Sequence, residues 1–239
     1  MAVYLFTVIF METFAEKIMN FLSSLEFLGS LPKEVHVMNP FKDNEVLELN
    51  RLFFEKYYSD QNKRIMLLGI NPGRFGAGIT GICFTDPIRL KDVCGIDNTF
   101  PKKQELSSVF FYEMLNSFGG TEKFYSKFYV SAVSPLGFMK DGINMNYYDD
   151  RNLKEKLSAF IEDSIKKQLD FGIDRNVCFS MGKGENFKFL NKLNNRHHFF
   201  DNIIPLGHPR WIMQYRLRTK DEHINDYITK LNDAADRFL

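Results

Sequence analysis

Apolar residues recur at helical intervals in five stretches of the chain. From Met11 to Leu28 they fall at Phe14, Ile18, Phe21, Leu25 and Leu28, and from Asp43 to Tyr58 at Val46, Leu49, Phe53 and Tyr57, so two amphipathic helices open the fold. Three later segments, Ser107 to Phe118, Asn152 to Leu169 and Thr219 to Phe238, carry the same period, and the last begins with Thr219 and Glu222 at capping-box spacing. Between the helices lie four short apolar runs: IMLLGI at 65–70, FYVSAV at 128–133, NVCFSM at 176–181 and NIIPLG at 202–207. They read as buried strands. Strands alternating with helices pair in parallel through crossovers, so the predicted fold class is a three-layer α/β/α sandwich around a central, mostly parallel four-stranded sheet. Residues 1–239 read as a single domain, with N-terminal helices over 11–58 packed on an α/β core over 64–239.

In such sheets ligands collect beyond the carboxyl ends of the strands, which directs attention to the residues just after Ile70, Val133, Met181 and Gly207. One of these places is unusual. From Asn71 to Pro101 the chain carries five glycines, three prolines and no sustained period, a longer irregular stretch than a compact fold keeps without a functional reason.

Composition narrows the function classes only a little. At 44% hydrophobic the 239 residues can bury a sizeable core. A net charge of +1 excludes binding a polyanion through the overall field, so nucleic acid would have to be met by a local cluster of Lys and Arg. Cys83, Cys94 and Cys178 are an odd number without repeated CxxC spacing, which argues against a disulfide framework or structural zinc and fits a reducing cytoplasm. The opening MAVYLFTVIF lacks a basic flank and is too short to span a bilayer; it reads as a buried strand or as residues upstream of a start at Met11. With no other stretch approaching a membrane span, the expectation is a soluble, cytoplasmic monomer.

Candidate chemistry sits at two strand ends. The segment GINPGRFGAGITG, residues 69–81, places Asn71 at the end of the first apolar run, then Pro72 and Gly73 to hold a turn that lets backbone approach a ligand. An ordinary Asn-Pro-Gly turn accounts for the same residues, but the length of the loop and its place at a strand end favour a site. Gly76, Gly78 and Gly81 match GxGxxG, yet they follow Pro72 and run toward Pro87 instead of opening a helix at the strand end, so a dinucleotide site is rejected. After the fourth run, Gly207-His208-Pro209-Arg210-Trp211 brings a histidine to the same crevice, with Pro209 ending the strand. Arg210, Arg216, Arg218 and Lys220 follow without an acid before Asp221; this is either a solvated face or the best candidate for phosphate contact. The pair His197-His198 has no carboxylate or Cys at ligand spacing and reads as surface.

Taken together, GINPGRFGAGITGICF, Ser134-Pro135-Leu136 and GHPRW resemble, in order, the three motifs of the single-strand-selective monofunctional uracil-DNA glycosylase family. The resemblance implies that Asn71 positions the attacking water and that His208 stabilises negative charge on the departing base. It also implies that Gly73 leaves room at the pocket mouth, that Phe84 stacks on the flipped base, and that Arg210 and Trp211 belong to a wedge entering the duplex. Those residue types suit the chemistry. Breaking a glycosidic bond makes an oxocarbenium-like sugar and an anionic base, so a donor aimed at the base is worth most in the transition state. Reaching the bond requires extruding the nucleotide onto a platform.

Departures from the family pattern bear on selectivity. Ala132 stands where the family has an Asn that reads uracil, leaving Ser134, Asn144 or Asn146, or backbone groups, to read the base. Ala77 replaces a Met of the loop and enlarges the pocket. The expected base-binding set is therefore Gly73, Ala77, Phe84 and Ser134, and the DNA-binding set Arg210, Trp211 and Arg216. The expected activity is hydrolysis of uracil or another deaminated base, such as xanthine or hypoxanthine, from DNA. It needs no cofactor or metal. Two other readings stand beside it: a damaged-DNA-binding module of the same fold that does not cut, and a nucleotide-binding enzyme.

Overall fold

The computed structural model describes residues 11–239; the strand reading for the first ten residues lies outside them. In chain order the elements are α1 (Phe14–Ser23), β1 (Val35–Met38), α2 (Asn44–Tyr58), β2 (Arg64–Gly69), α3 (Ala77–Thr80), α4 (Pro87–Asp92), α5 (Leu106–Phe118), α6 (Thr121–Tyr125) and β3 (Phe128–Ala132). They continue with β4 (Gly137–Lys140), β5 (Ile143–Met145), α7 (Arg151–Leu169), β6 (Ile173–Met181), α8 (Glu185–His197), β7 (Asn202–Leu206), α9 (Pro209–Tyr215) and α10 (Lys220–Phe238).

Each of the four apolar runs is a strand. They form one parallel sheet in the order β3-β2-β6-β7, with helices against it. Central β2 is buried at every position, as expected of a strand covered on both faces. Pro205 lies within β7, and because β7 is an edge strand the missing N–H breaks no interior ladder.

All five periodic helices form, but the first ends at Ser23, short of the expected Leu28, which is exposed. The first is capped by Thr13, whose hydroxyl accepts from the Glu16 N–H while the Glu16 carboxylate accepts from the Thr13 N–H. The box expected at the last helix does not form: Thr219 donates its hydroxyl to the Arg216 carbonyl, at the end of the turn that links α9 to α10. Arg64, at the start of β2, pins the N-terminal helices. It is fully buried, pairs with Asp60 through both terminal nitrogens at 2.5 and 2.9 Å, donates to the Tyr125 carbonyl and lies over the ring of Phe14.

A second, antiparallel sheet of order β1-β4-β5 was not legible in the periodicity, because its strands are three or four residues long and only partly buried. It sits beside the carboxyl edge of the parallel sheet, and the turn following β5 reaches back to the end of β2. His197 also differs from the surface reading. Its ring stacks on Phe199 and its Nε2 lies 2.9 Å from the Glu162 carboxylate, a partner supplied by α7 that sequence spacing could not reveal.

Candidate active site

The end of β2 and the start of α9 face one cavity. Asn71, Gly73, Ala77, Phe84, His208 and Arg210, six of the nine residues singled out in the sequence, line it together with Ala132. Trp211 borders the adjoining cavity on the far side of His208. Two expected residues are elsewhere. Ser134 is fully buried and spends its hydroxyl on the Leu136 carbonyl, so it belongs to the turn beneath the site and has no free donor for a base. Arg216 lines neither cavity; its guanidinium lies 4.9 Å from the centre of the Trp211 ring.

Asn71 is clamped through both ends of its amide. Oδ1 accepts from the Tyr147 N–H at 2.9 Å, and Nδ2 donates to the Met145 and Pro72 carbonyls at 3.1 and 3.2 Å. This pattern fixes which end is oxygen and leaves one lone pair of Oδ1 unused. The clamp comes from the turn after β5, and that turn is anchored in turn. The Tyr147 hydroxyl donates to Asn186 Oδ1 at 2.9 Å, while the buried Asn186 amide donates to the Gly69 carbonyl at 3.2 Å. A buried polar network thus ties the last residue of β2, the first turn of α8 and the Asn71 clamp together.

Phe84 reaches the cavity because the glycine-rich loop folds back on itself. Thr80 Oγ1 donates to the Thr85 carbonyl at 2.7 Å and accepts from the Ile82 N–H at 3.1 Å, while Gly81 turns the chain at φ +75°. Phe84 itself is in the left-handed region at φ +54°, a conformation a bulky residue adopts only when its surroundings enforce it. Its ring lies over Gly69, where a Cβ would be 3.0 Å from Cζ, and its centre is 5.3 Å from that of Phe111 and 6.1 Å from that of His208.

His208 caps α9. Its Nδ1 accepts from the Arg210 N–H at 3.2 Å, so in the neutral imidazole the proton sits on Nε2. Burial, with the Arg210 charge beside it, pulls the pKa down to about 4, and at neutral pH the ring is an uncharged donor. Above Ala132, which offers no polar group, Asn144 and Asn146 are the nearby amides. Asn144 Oδ1 already accepts from the Arg74 N–H and the Asn146 amide donates to Asp149, leaving Asn144 Nδ2 and Asn146 Oδ1 free to meet a ligand.

Sequence reasoning missed Glu105. It immediately precedes α5, its carboxyl faces the same cavity, and burial plus the Asp86 charge push its pKa up to about 7 against the lowering effect of Arg210. A glutamate before an apolar helix looks like any helix start, and only the fold brings it to the cavity that Asn71 lines.

A parallel sheet with an amide, an aromatic ring and a neutral imidazole around one cavity at its carboxyl edge defines an α/β protein with a mixed polar and aromatic cleft at the end of its sheet. The sequence profile of the uracil DNA glycosylase superfamily matches residues 55–232, and the chain belongs to that superfamily, within its single-strand-selective branch. Among solved structures it is similar to wild-type SMUG2 of Pedobacter heparinus, with 44% identity over 95% of this chain and 100% of that one and a TM-score of 0.92. No curated protein matches it. Superfamily membership supports a function of the DNA glycosylase type, and no helix among the described residues is long and apolar enough to cross a membrane.

Proposed function

We propose that the protein is a monofunctional DNA glycosylase that hydrolyses the N-glycosidic bond of uracil or another deaminated base and leaves an abasic site. The observation that carries the reading is the convergence of Asn71 and Phe84, from the two ends of the glycine-rich loop, and His208, from the far end of the chain, on one cavity. Phe84 receives the flipped base by stacking, offsetting what the base loses on leaving the duplex. Asn71, its amide immobilised, offers the free lone pair of Oδ1 to hold water at the sugar. As the bond to the base breaks, His208 donates from Nε2 to the oxygen on which negative charge grows. A neutral donor in a dry site stabilises that charge without having to be protonated first. Asn144 Nδ2 and Asn146 Oδ1 read the base edge in place of the missing family Asn.

At the rim, Arg210 meets phosphate and Trp211, 40% exposed with Arg216 packed on its ring, enters the space the base leaves. The neighbouring Tyr215 and Leu217 are also exposed, which gives this edge an apolar face suited to unstacked bases. A protein that only bound damaged DNA would have no use for an amide clamped on both ends beside a donor held in one tautomer.

The test is incubation with oligonucleotides carrying a single uracil, xanthine or hypoxanthine, followed by alkali. Strand breaks are expected only after alkali, with a fall of about 100-fold or more in Asn71→Ala and His208→Ala. Full activity in both variants sinks these roles, and no abasic product from any of the three bases sinks the reaction.

A further inference from the structure

Glu105 is half-buried, its carboxyl faces the cavity, and no hydrogen bond from another described residue reaches that carboxyl. Its own N–H donates to Asp86 Oδ2 at 2.9 Å, and Asp86 is fully buried, so the residue's backbone is fixed. Two glycines of the Asn71 loop make room for the side chain. A Cβ on Gly76 would stand 1.9 Å from Oε2, and one on Gly73 would stand 3.1 Å from Oε1. The carboxyl is therefore lodged against the turn that begins at Asn71, beside Gly73, which the glycosylase reading puts at the pocket mouth.

We propose that Glu105 is the general base of the hydrolysis, taking a proton from the water that Asn71 holds. This rests on the glycosylase reading above and adds to it the group that activates the nucleophile. Asn71 can orient water but cannot accept its proton, because an amide is too weak a base. In the step, the water oxygen bonds to the anomeric carbon and the glycosidic electron pair leaves with the base. The water proton passes to Glu105, and His208 stabilises the departing anion. Before protonation the carboxylate also stabilises the positive sugar electrostatically.

The charged or titratable groups around Glu105 are Asp86 before α4, Arg210 on α9, Arg74 in the loop, and Cys83 and His208 in the cavity wall. Asp86 opposes ionisation and Arg210 favours it, leaving an acid with a pKa of about 7 that is half ionised near neutrality, where a general base is most effective. The reactive form is the carboxylate, so kcat/KM for a uracil-containing oligonucleotide should rise with pH and level off above about 7.

The experiment compares wild type with Glu105→Gln and Glu105→Asp over pH 5 to 9. Binding is read separately on an oligonucleotide whose 2′-fluorinated deoxyuridine resists cleavage. Glu105→Gln should lower kcat/KM about 100-fold or more at pH 8 and abolish the inflection. Glu105→Asp should recover part of the rate with the inflection kept, and both variants should bind the uncleaved analogue within about threefold of wild type. Thermal unfolding serves as the check on folding. The folded acid titrates near 7 against 4.5 in the free side chain, so a stabilising contribution present below about 4.5 is lost as pH rises through 7. Glu105→Gln should consequently melt higher than wild type at pH 8. Wild-type activity with an unchanged rate and pH profile in Glu105→Gln overturns the assignment while leaving the glycosylase intact, as does a loss matched by weaker binding. An inactive wild type points instead at the function itself.

Discussion

The four-stranded parallel sheet is buried along its centre and announces itself as apolar runs, whereas the three-stranded antiparallel sheet is short, half solvated and silent in the periodicity. Yet the site depends on both. The parallel sheet brings Asn71 and His208 to one edge; the turn after the small sheet immobilises the Asn71 amide. A strand end alone delivers a residue to a cavity. Orienting its functional group takes partners from elsewhere in the chain, here from residues 74 to 76 positions further on.

The largest effect should come from cutting the link between these regions. Asn186→Ala orphans the buried Tyr147 hydroxyl and removes one of the two donors to the Gly69 carbonyl, which keeps the Val133 N–H, and should cost about 2 kcal/mol in urea unfolding. Because the Asn71 clamp loosens as well, glycosylase activity should fall even where the variant is fully folded. Unchanged activity and stability would mean that the two sheets act independently.

A smaller effect is expected inside the parallel sheet. Gly69→Ala drives a methyl against Phe84 and should cost about 1–2 kcal/mol as overpacking. On the proposal that Phe84 is the base platform, kcat/KM should drop about tenfold, because displaced groups lose alignment in the transition state. Smallest of all is Ile143→Ser, in the β4–β5 hairpin at 66% exposure, which should change stability by no more than about 0.5 kcal/mol. A larger cost there would show that the small sheet is held by its own apolar contacts more than by its attachment to the site.

The contrast also explains what could be read in advance. Residues such as Ile65 to Gly69 declare their strand because every position is buried, and the helices from Phe14 to Phe238 declare themselves through amphipathic period. Asn71, Phe84 and His208 were legible because each sits in a compact motif. Glu105, Tyr147 and Asn186 were not, since each acts through a neighbour distant in sequence: Gly76, Asn71 and Gly69 respectively. Ser134 shows the converse. Its motif predicted a base contact, but the carbonyl two residues on captured its hydroxyl first.

His208 uses its two nitrogens for separate tasks, one closing the first turn of α9 and the other left to donate into the cavity. Change at this position is therefore filtered twice. Aspartate would satisfy the helix as an N-cap and forfeit the donor, and asparagine would keep an amide donor only on a shorter side chain. A lysine would carry a donor and leave the helix open. One ring thus couples the start of a helix to the chemistry proposed for the cavity, so neither can be altered at this position without disturbing the other.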